Sequence, residues 1–318
     1  MVESLSNKNM KIFSLSSNRP LAEKIAEVCG IKLGEATINR FSDGEIQIKI
    51  DESIRGDSVY IIQSLTDPIN ANIMELFIMI DAVRRTSAKS INVVIPYYGY
   101  ARHSAKKRER KAIIAKLIAR ILENTGIDRV LTLDLHAAQI QGFFNKPVDN
   151  LKADKLMAKH MLDNYDLENA VVVSPDHGGV GRARGFAGLI DAPIAIIDNR
   201  DPENEEHMPT FIIGDVKDKV AIVADDMIDT ASRAVKAANV LANNGVKAVY
   251  LVTTHGVFAG DAINKISNAP IKKVIVSDSV YIAPEKQIDK LDIVSVADLM
   301  GNAILRIHNN KSVGKLFR

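Results

Sequence analysis

Short apolar runs rich in Val and Ile recur along the whole chain, and stretches with helical periodicity separate several of them. Runs of about 4–8 such residues are typical of strands that are buried on both faces. The runs are Lys11–Leu15, Glu45–Ile50, Val59–Gln63, Ile91–Pro96, Val130–Leu133, Ala170–Ser174, Pro193–Ile197, Val220–Ala224, Ala248–Thr253, Lys273–Val276 and Ile293–Val296. Because strands and helices alternate, the sequence predicts an α/β fold of mainly parallel sheets flanked by helices.

Three stretches show the clearest helical pattern. The first opens at Asn18, has Pro20 just inside and ends at Gly30, an order of residues that favours a capped helix. A second stretch, 231–244, ends before a glycine. The third, 69–83, is apolar almost all round, which predicts burial in the core and against another subunit.

The length of 318 residues predicts about two domains. The pattern of strands and helices runs through twice, with a polar stretch near residues 145–154 between the two passes. We therefore predict domains at 1–150 and 151–318, with the last ~15 residues packing on the N-terminal domain.

The composition excludes several classes of protein. With 47% apolar residues the chain can fold, and its 41 basic and 39 acidic residues are too balanced for a dedicated nucleic-acid-binding protein or a polybasic membrane protein. No apolar stretch is long enough to span a membrane. Cys29 is the one cysteine, so no internal disulfide forms, and the N-terminus lacks the pattern of a secretory signal. These observations predict a cytoplasmic protein. Cys29 lies in a helical pattern just before Gly30, which predicts that its side chain is buried.

The segment 220–233 carries the most chemical information. An apolar run is followed by Asp225 and Asp226, and then by a turn of small residues that leads into a helix. Backbone N–H groups at the start of a helix attract anions, while the two carboxylates can hold sugar hydroxyls or a hydrated Mg²⁺. The alternative is a helix start that an aspartate caps.

This segment resembles the ribose-phosphate-binding signature of type I phosphoribosyltransferases. Almost the entire chain resembles the class I ribose-phosphate pyrophosphokinases, also called phosphoribosyl pyrophosphate (PRPP) synthetases, as a divergent second paralogue. The motifs that carry the resemblance are Arg40-Phe-Ser-Asp-Gly-Glu45, Gln63-Ser64 with Asp67-Pro68, Pro96-Tyr-Tyr-Gly-Tyr-Ala-Arg102, Leu133-Asp-Leu-His136 with Gln139-Ile-Gln-Gly-Phe-Phe144, and Ser174-Pro-Asp-His-Gly-Gly179.

The resemblance implies two tandem phosphoribosyltransferase-type domains, in dimers that assemble into a hexamer. It also implies Mg²⁺-dependent transfer of diphosphate from ATP to ribose 5-phosphate, which gives PRPP and AMP, with ADP or phosphate as effectors. Neither nucleic acid nor membrane is an expected partner.

The resemblance assigns roles to individual residues, of which Phe41 would stack on adenine. The nucleotide-binding residues would be Phe41, Asp43, Gly44, Glu45, Arg102 and His103, the ribose-5-phosphate-binding residues Asp225, Asp226, Asp229, Thr230, Ala231, Ser232 and Arg233, and the Mg²⁺ ligands His136 and Asp176. Without the family, Phe41 reads as a core aromatic residue and His136 as a core or loop histidine.

The chain departs from the family at the loop that would close over the reacting phosphates. The family's loop begins Lys, Arg, Arg, Pro, whereas this chain has Asn199, Arg200 and Asp201, which leaves Arg200 as the remaining candidate catalytic residue. The segment 199–206, which we call the acidic loop, carries one basic and four acidic residues, a net charge of −3. Loss of one donor that stabilises the transition state costs about 3–4 kcal/mol, so the sequence predicts weak or absent turnover.

Two further segments differ from the family. The family's D-T-x-G-T becomes Asp229-Thr-Ala-Ser-Arg233, in which Ser232 replaces the glycine and Arg233 the second threonine. After Arg102 the family's Gln-Asp-Arg-Lys becomes His-Ser-Ala-Lys, and the stretch 102–111 carries a net charge of +5. That stretch is either a solvated helix face or a surface that binds polyphosphate.

Two hypotheses about function therefore remain open. The favoured one is a weak or silent nucleotide-binding paralogue, a pseudoenzyme that regulates an active synthetase in a hetero-oligomer. The other is a fully active PRPP synthetase. A phosphoribosyltransferase that acts on a base is disfavoured, because the nucleotide-binding motifs of the N-terminal half would have no purpose.

Overall fold

The computed structural model describes residues 5–105, 110–198 and 211–316. The chain divides into two compact units. The first unit contains residues 1–152, 279–281 and 295–318, and the second contains 153–278 and 282–294. The C-terminal segment therefore belongs to the same unit as the N-terminus.

Strands and helices alternate along the described residues. The strands are β1 (Met10–Ser14), β2 (Ala36–Arg40), β3 (Ile46–Ile50), β4 (Ser58–Ile62), β5 (Ser90–Ile95), β6 (Arg129–Leu133), β7 (Val148–Leu151), β8 (Ala170–Ser174), β9 (Ile194–Asp198), β10 (Phe211–Ile213), β11 (Val220–Ile228), β12 (Ala248–Gly256), β13 (Lys273–Ser277) and β14 (Leu291–Val294). The helices are α1 (Arg19–Val28), α2 (Ile69–Arg85), α3 (Ile114–Asn124), α4 (Asp154–Asn164), α5 (Val180–Ile190), α6 (Ser232–Asn243), α7 (Ala262–Asn268) and α8 (Ala297–His308).

The first unit is built on a sheet with the strand order β1-β4-β5-β6-β7, in which all the pairs are parallel. Its inner strands are almost continuously buried, as the unbroken apolar runs predict. Strands β2 and β3 form a separate antiparallel hairpin, and β3 packs on α2. One side of α2 is buried in the core, whereas Met74 is 52% exposed in the chain alone. A second surface that covers α2 stays a prediction.

Helix α1 begins and ends where its sequence signals predict. The side chain of Asn18 accepts the N–H of Leu21 at 3.3 Å, and Gly30 has φ +68° just beyond the end of the helix. Helix α8 packs against α1 within the first unit. Cys29 is buried there, as predicted, and its thiol faces the carbonyl of Gly301 at 3.6 Å.

The second unit is built on a sheet with the order β10-β9-β8-β11-β12-β13-β14. Every pair is parallel except β9–β10, which is antiparallel. Since β8 and β11 are parallel neighbours, their carboxyl ends lie at the same edge of the sheet. This edge carries the predicted sugar-phosphate residues.

A helix that spans a bilayer needs about 20 mostly apolar residues. No helix of residues 5–105, 110–198 and 211–316 is long and apolar enough to cross a membrane.

Candidate functional site

Three groups of predicted residues meet at the carboxyl edge of the second sheet. Asp176 lies two residues after the end of β8, and Asp225 and Asp226 lie near the end of its parallel neighbour β11. The phosphate loop, residues 229–233, joins β11 to α6. The carboxyl ends of parallel strands are where open α/β sheets bind their ligands. The fold thus brings the predicted sugar-phosphate residues to one place.

The carboxylate pair lies within a strand rather than after one. The sequence predicts that the strand stops at Ala224, but β11 continues to Ile228 in hydrogen-bonded register with β12. The reason is tertiary, because pairing with β12 supplies the backbone partners that the side-chain pattern does not signal. Both aspartates are therefore held by the sheet.

A single guanidinium bridges the two carboxylates. Arg182 of α5 donates to Oδ1 of Asp225 at 2.7 Å and lies 3.2 Å from Oδ1 of Asp226. Asp226 is only 4% exposed. Burial and the neighbouring Asp226 carboxylate raise the pKa of Asp225 to about 7, although Arg182 acts in the opposite direction. The pair therefore offers oxygen acceptors suited to hydroxyl groups.

The phosphate loop turns sharply into α6. Ala231, the residue before the helix, is buried and has φ +60°, a left-handed conformation that only glycine adopts without cost. Its side chain cannot cap the helix, so backbone N–H groups of the first turn face outward with the positive end of the helix dipole. This geometry suits a phosphate group.

Two positively charged side chains lie beside this loop, one from α7 and one from the loop itself. Lys265 of α7 donates to Oγ of Ser232 at 3.0 Å and to the carbonyl of Thr230 at 3.4 Å. Arg233, in the first turn of α6, donates from Nη1 to Oδ2 of Asp176 at 2.8 Å. Both cations increase the positive charge beside the loop.

The predicted metal ligands belong to different units. His136 is exposed in the loop after β6 of the first unit, and Asp176 belongs to the second unit. Oδ1 of Asp176 accepts the N–H of Gly179 at 2.9 Å, while Oδ2 accepts Arg233. Among the described residues, no group of three His, Cys, Asp or Glu side chains is arranged to hold a metal ion. Asp176 in this arrangement therefore does not fit a resident metal ion.

The predicted adenine-binding residues lie at the tip of the β2–β3 hairpin in the first unit. Phe41 is 51% exposed, which rules out the alternative of a core aromatic. The backbone N–H of Phe41 donates to the carbonyl of Glu45 and the N–H of Gly44 to the carbonyl of Phe41, both at 2.9 Å, and Gly44 takes φ +94°. Oδ1 of Asp43 accepts the N–H of Glu45 at 3.1 Å. The turn thus presents an aromatic face and carboxylates to solvent.

The hairpin is tied to the core by a buried carboxylate. Glu75 of α2 is fully buried and accepts Nη2 of Arg40 at 2.6 Å. It also accepts the backbone N–H of Ser16 at 2.7 Å and Nε2 of Gln63 at 3.2 Å. These contacts fix the strand that precedes Phe41. Arg102 and His103 lie exposed in a short 3₁₀ turn of the same unit, with the ring of His103 6.2 Å from that of Tyr100.

The acidic loop, with Asn199, Arg200 and Asp201, lies outside the described residues. Its flanks are defined, because Asp198 at the end of β9 pairs in antiparallel register with Phe211 at the start of β10. Oδ1 of Asp198 lies 2.6 Å from Nε2 of His177, the residue after Asp176. The end of β9 therefore lies beside the carboxyl edge that carries Asp176. Residues 106–109 of the basic stretch after Arg102 also lie outside the described part.

Sequence reasoning missed Arg182, His177 and Lys265. Arg182 and His177 lie in or beside the segment 176–184, but nothing local signals that their partners are Asp225 and Asp198. Lys265 contacts a loop 33 residues away in sequence. Such contacts follow from strand order and helix packing, which the sequence pattern did not specify.

Two family models match the chain. The N-terminal domain of ribose phosphate pyrophosphokinase matches residues 10–126. The phosphoribosyl synthetase-associated domain matches residues 201–318. The matched regions include the hairpin, Arg102 and the phosphate loop.

Similar proteins match over nearly the full length. The chain is 55% identical to the putative ribose-phosphate pyrophosphokinase 2 of Lactiplantibacillus plantarum, over 97% of this chain and 96% of the relative. It is 50% identical to the ribose-phosphate pyrophosphokinase of Bacillus subtilis, over 98% of both chains. The crystal structure of phosphoribosylpyrophosphate synthetase from Mycobacterium smegmatis matches with a TM-score of 0.91 and 38% identity, over 95% of this chain and 100% of that chain.

These likenesses confirm the predicted fold, in which two phosphoribosyltransferase-type domains each contain a mainly parallel sheet flanked by helices. They cover both units and both ends of the described chain. On this evidence the chain belongs to the ribose-phosphate pyrophosphokinase family.

Proposed function

We propose that this protein binds ATP and ribose 5-phosphate but transfers diphosphate between them slowly or not at all. The proposed reaction forms a bond from the C1 hydroxyl oxygen of ribose 5-phosphate to the β-phosphorus of ATP and breaks the bond from that phosphorus to the oxygen that bridges it to the α-phosphorus. The hydroxyl proton is released to solvent. AMP leaves and PRPP is the other product. The single observation that carries the proposal is the net charge of −3 on the acidic loop.

The proposed nucleotide contacts lie in the first unit. The exposed ring of Phe41 is proposed to stack on adenine, with Asp43, Gly44 and Glu45 around the same base. Arg102 and His103 are proposed to contact the phosphates of ATP, because a guanidinium matches pairs of phosphate oxygens. The ion pair between Arg40 and buried Glu75 supports the proposed role of Phe41, since it holds the hairpin in one position.

The proposed sugar-phosphate contacts lie in the second unit. Asp225 and Asp226 would accept hydrogen bonds from the ribose hydroxyls, and Asp229 would stand at the entry to the phosphate loop. Backbone N–H groups of the turn Thr230–Ser232 would hold the 5-phosphate, with Lys265 adding positive charge. The support is the short path from the carboxylate pair to the start of α6 along β11.

Mg²⁺ is proposed to enter with ATP rather than to reside in the protein. When bound, it neutralises charge on the phosphate oxygens. His136 and Asp176 are the residues proposed to contact it. Arg233 donates to Oδ2 of the same carboxylate, so its positive charge opposes this contact.

The acidic loop explains why we expect slow transfer. Diphosphate transfer concentrates negative charge on the migrating oxygens, and catalysis depends on cations placed around them. Asn199 supplies no charge, and Asp201 adds repulsion where the family has an arginine. Arg200 is the remaining cation of that segment. The adenine-binding hairpin and the pair Asp225 and Asp226 are retained while two cations of the transition state are replaced, which is the pattern of a protein that binds without turning over.

Its proposed role is that of a regulatory subunit in the cytoplasm. Dimers would assemble into hexamers, either with themselves or with an active synthetase, and ADP or phosphate would act as effectors. Co-purification of a tagged chain with an active synthetase from the same cell tests this role, which is refuted if only homomers form. The alternative, a fully active synthetase, predicts brisk turnover by the purified chain alone.

The deciding experiment restores the family's charges in the acidic loop. Purified wild type and the double variant Asn199→Lys with Asp201→Arg are given ATP, Mg²⁺ and ribose 5-phosphate, and AMP and PRPP are measured. The double variant is expected to turn over at least about 100-fold faster, because each restored donor is worth about 3–4 kcal/mol.

A matched control changes the same loop by the same charge at other positions. Asn204→Lys with Glu206→Arg is expected to give much less activation, because these residues lie further from the family's catalytic positions. Wild-type turnover within about tenfold of an active family member would refute the proposal, since tenfold is only ~1.4 kcal/mol. Equal activation by both double variants would show that loop charge matters but position does not.

A further inference from the structure

Asp176 carries a positive partner that comes from the phosphate loop itself. Its Oδ2 accepts Nη1 of Arg233 at 2.8 Å, and its Oδ1 accepts the N–H of Gly179 at 2.9 Å. Both carboxylate oxygens are thus engaged, one by a full charge and one by a backbone dipole. A divalent cation at Asp176 would be repelled by the guanidinium that this carboxylate already binds.

Arg233 lies at a position in its helix where a positive charge is unfavourable. A basic residue in the first turn of a helix is opposed by the helix dipole, so Arg233 needs a negative partner there. Asp176, on the neighbouring strand end, is that partner. Lys265 places a second cation on the same loop through Ser232. The loop therefore carries its own positive charge where a metal ion would otherwise supply it.

We propose that Arg233 acts as a built-in counterion of Asp176, so that its guanidinium and a divalent cation compete for the same carboxylate. The inference rests on the proposed function in that it concerns the same ribose 5-phosphate site, but it does not depend on the acidic loop. It assigns Arg233 as the residue that makes this site less dependent on a metal ion than a loop with an uncharged residue at that position.

The expected effect is moderate because the pair is partly solvated. The side chains of Arg233 and Asp176 are 64% and 35% exposed. Exposed ion pairs are weak, so a divalent cation gains little binding free energy when this pair is absent. Removal of one positive charge also reduces repulsion of the cation by a small amount. Arg233→Thr is therefore expected to tighten divalent-cation binding by roughly 3- to 10-fold. Its high exposure also means that the substitution leaves the core intact.

The test measures Mn²⁺ binding to the full chain by electron paramagnetic resonance, with neither ATP nor ribose 5-phosphate present. The variants are Arg233→Thr, Arg233→Lys and the control Arg184→Thr. Arg184 is an exposed arginine of α5 in the same unit, so its replacement changes the net charge equally. Tighter binding by Arg233→Thr alone, with Arg233→Lys between it and the wild type, is the expected result.

A second background identifies the carboxylate. In an Asp176→Asn chain the effect of Arg233→Thr is expected to disappear, since the acceptor for which the two cations compete is gone. The proposal is overturned if Arg233→Thr binds Mn²⁺ no more tightly than Arg184→Thr, if it shows no Mn²⁺ binding, or if the gain persists without Asp176. Because no turnover is measured, these outcomes are independent of the acidic-loop experiment.

Discussion

At the scale of single residues, the carboxylate pair of β11 gives the clearest prediction of how stability depends on pH. Asp225 has a pKa of about 7 in the fold, raised first by burial and then by Asp226, against an ordinary value of 3.8. A carboxyl group with a raised pKa stabilises the fold fully below about pH 4, where both states hold the proton. That contribution is lost as the pH rises through about 7.

Asp225→Asn is therefore expected to stabilise the protein selectively at high pH. The amide keeps the shape of the side chain but carries no charge, so the free-energy cost of ionising Asp225 in the fold disappears. We expect the free energy of unfolding to rise by roughly 1–3 kcal/mol at pH 8 and by much less at pH 4. Urea unfolding at both pH values measures it. Asp218→Asn, at an exposed aspartate of the same unit, is the control and should show no such pH dependence. A pH profile of Asp225→Asn that matches the wild type would contradict the assignment.

Residue types alone predicted only part of the site. Asp225, Asp226 and Asp176 could be placed at strand ends from sequence, because apolar runs stop near them. Their neutralisation by Arg182 and Arg233 could not, since ion pairs between different strands and helices depend on packing. Sequence motifs thus indicated which acids lie at the edge but not which cations accompany them.

At the scale of elements, every inner strand was predicted, and the strands that were missed lie at sheet edges or in the hairpin. All the inner strands of both sheets follow apolar runs, because burial on both faces demands them. The missed strands are β2, β7 and β10, which lie in the hairpin or at sheet edges and are short or partly polar. Strand β14, also at an edge, begins at Leu291 rather than at the predicted Ile293. Hydrogen bonding to a neighbouring strand forms such strands even where the sequence shows no strong apolar pattern.

The contact between α1 and α8 allows an element-scale prediction. A Cβ on Gly301 would lie 2.6 Å from Cγ1 and 2.8 Å from Cβ of Val28, closer than real contacts. Gly301→Ala is expected to destabilise the protein by about 1–2 kcal/mol, since the cost of overpacking exceeds the gain in helix propensity. Urea unfolding followed by circular dichroism measures this.

The matched control is Gly185→Ala in α5, where a Cβ would meet nothing within 4 Å. There only helix propensity acts, so we expect a gain of up to about 1 kcal/mol. The tight approach of α8 to α1 is refuted if Gly301→Ala stabilises the chain as much as Gly185→Ala does.

At the scale of the whole molecule, the first unit is completed by the far end of the chain. Residues 295–318 belong to it, and Met300, Ala303 and Ile304 of α8 are buried. Asn309 adds hydrogen bonds to the backbone of Ser6. The sequence analysis expects the last ~15 residues to pack on the N-terminal domain, but the particular residues that they contact are distant in sequence and carry no local signal.

Removal of residues 295–318 is therefore expected to unfold the first unit. Burial of each large apolar side chain contributes about 1.5–3 kcal/mol, and several lost together approach the ~5–15 kcal/mol stability of a typical domain. Cys29 reports the event, since burial raises the pKa of its thiol to about 12 in the intact fold. A thiol reagent at pH 8 should leave the wild type almost unmodified and label the truncated chain rapidly. Deletion of residues 311–318, which keeps α8, is the control and should protect Cys29. A truncated chain in which Cys29 stays protected would show that the first unit stands without α8.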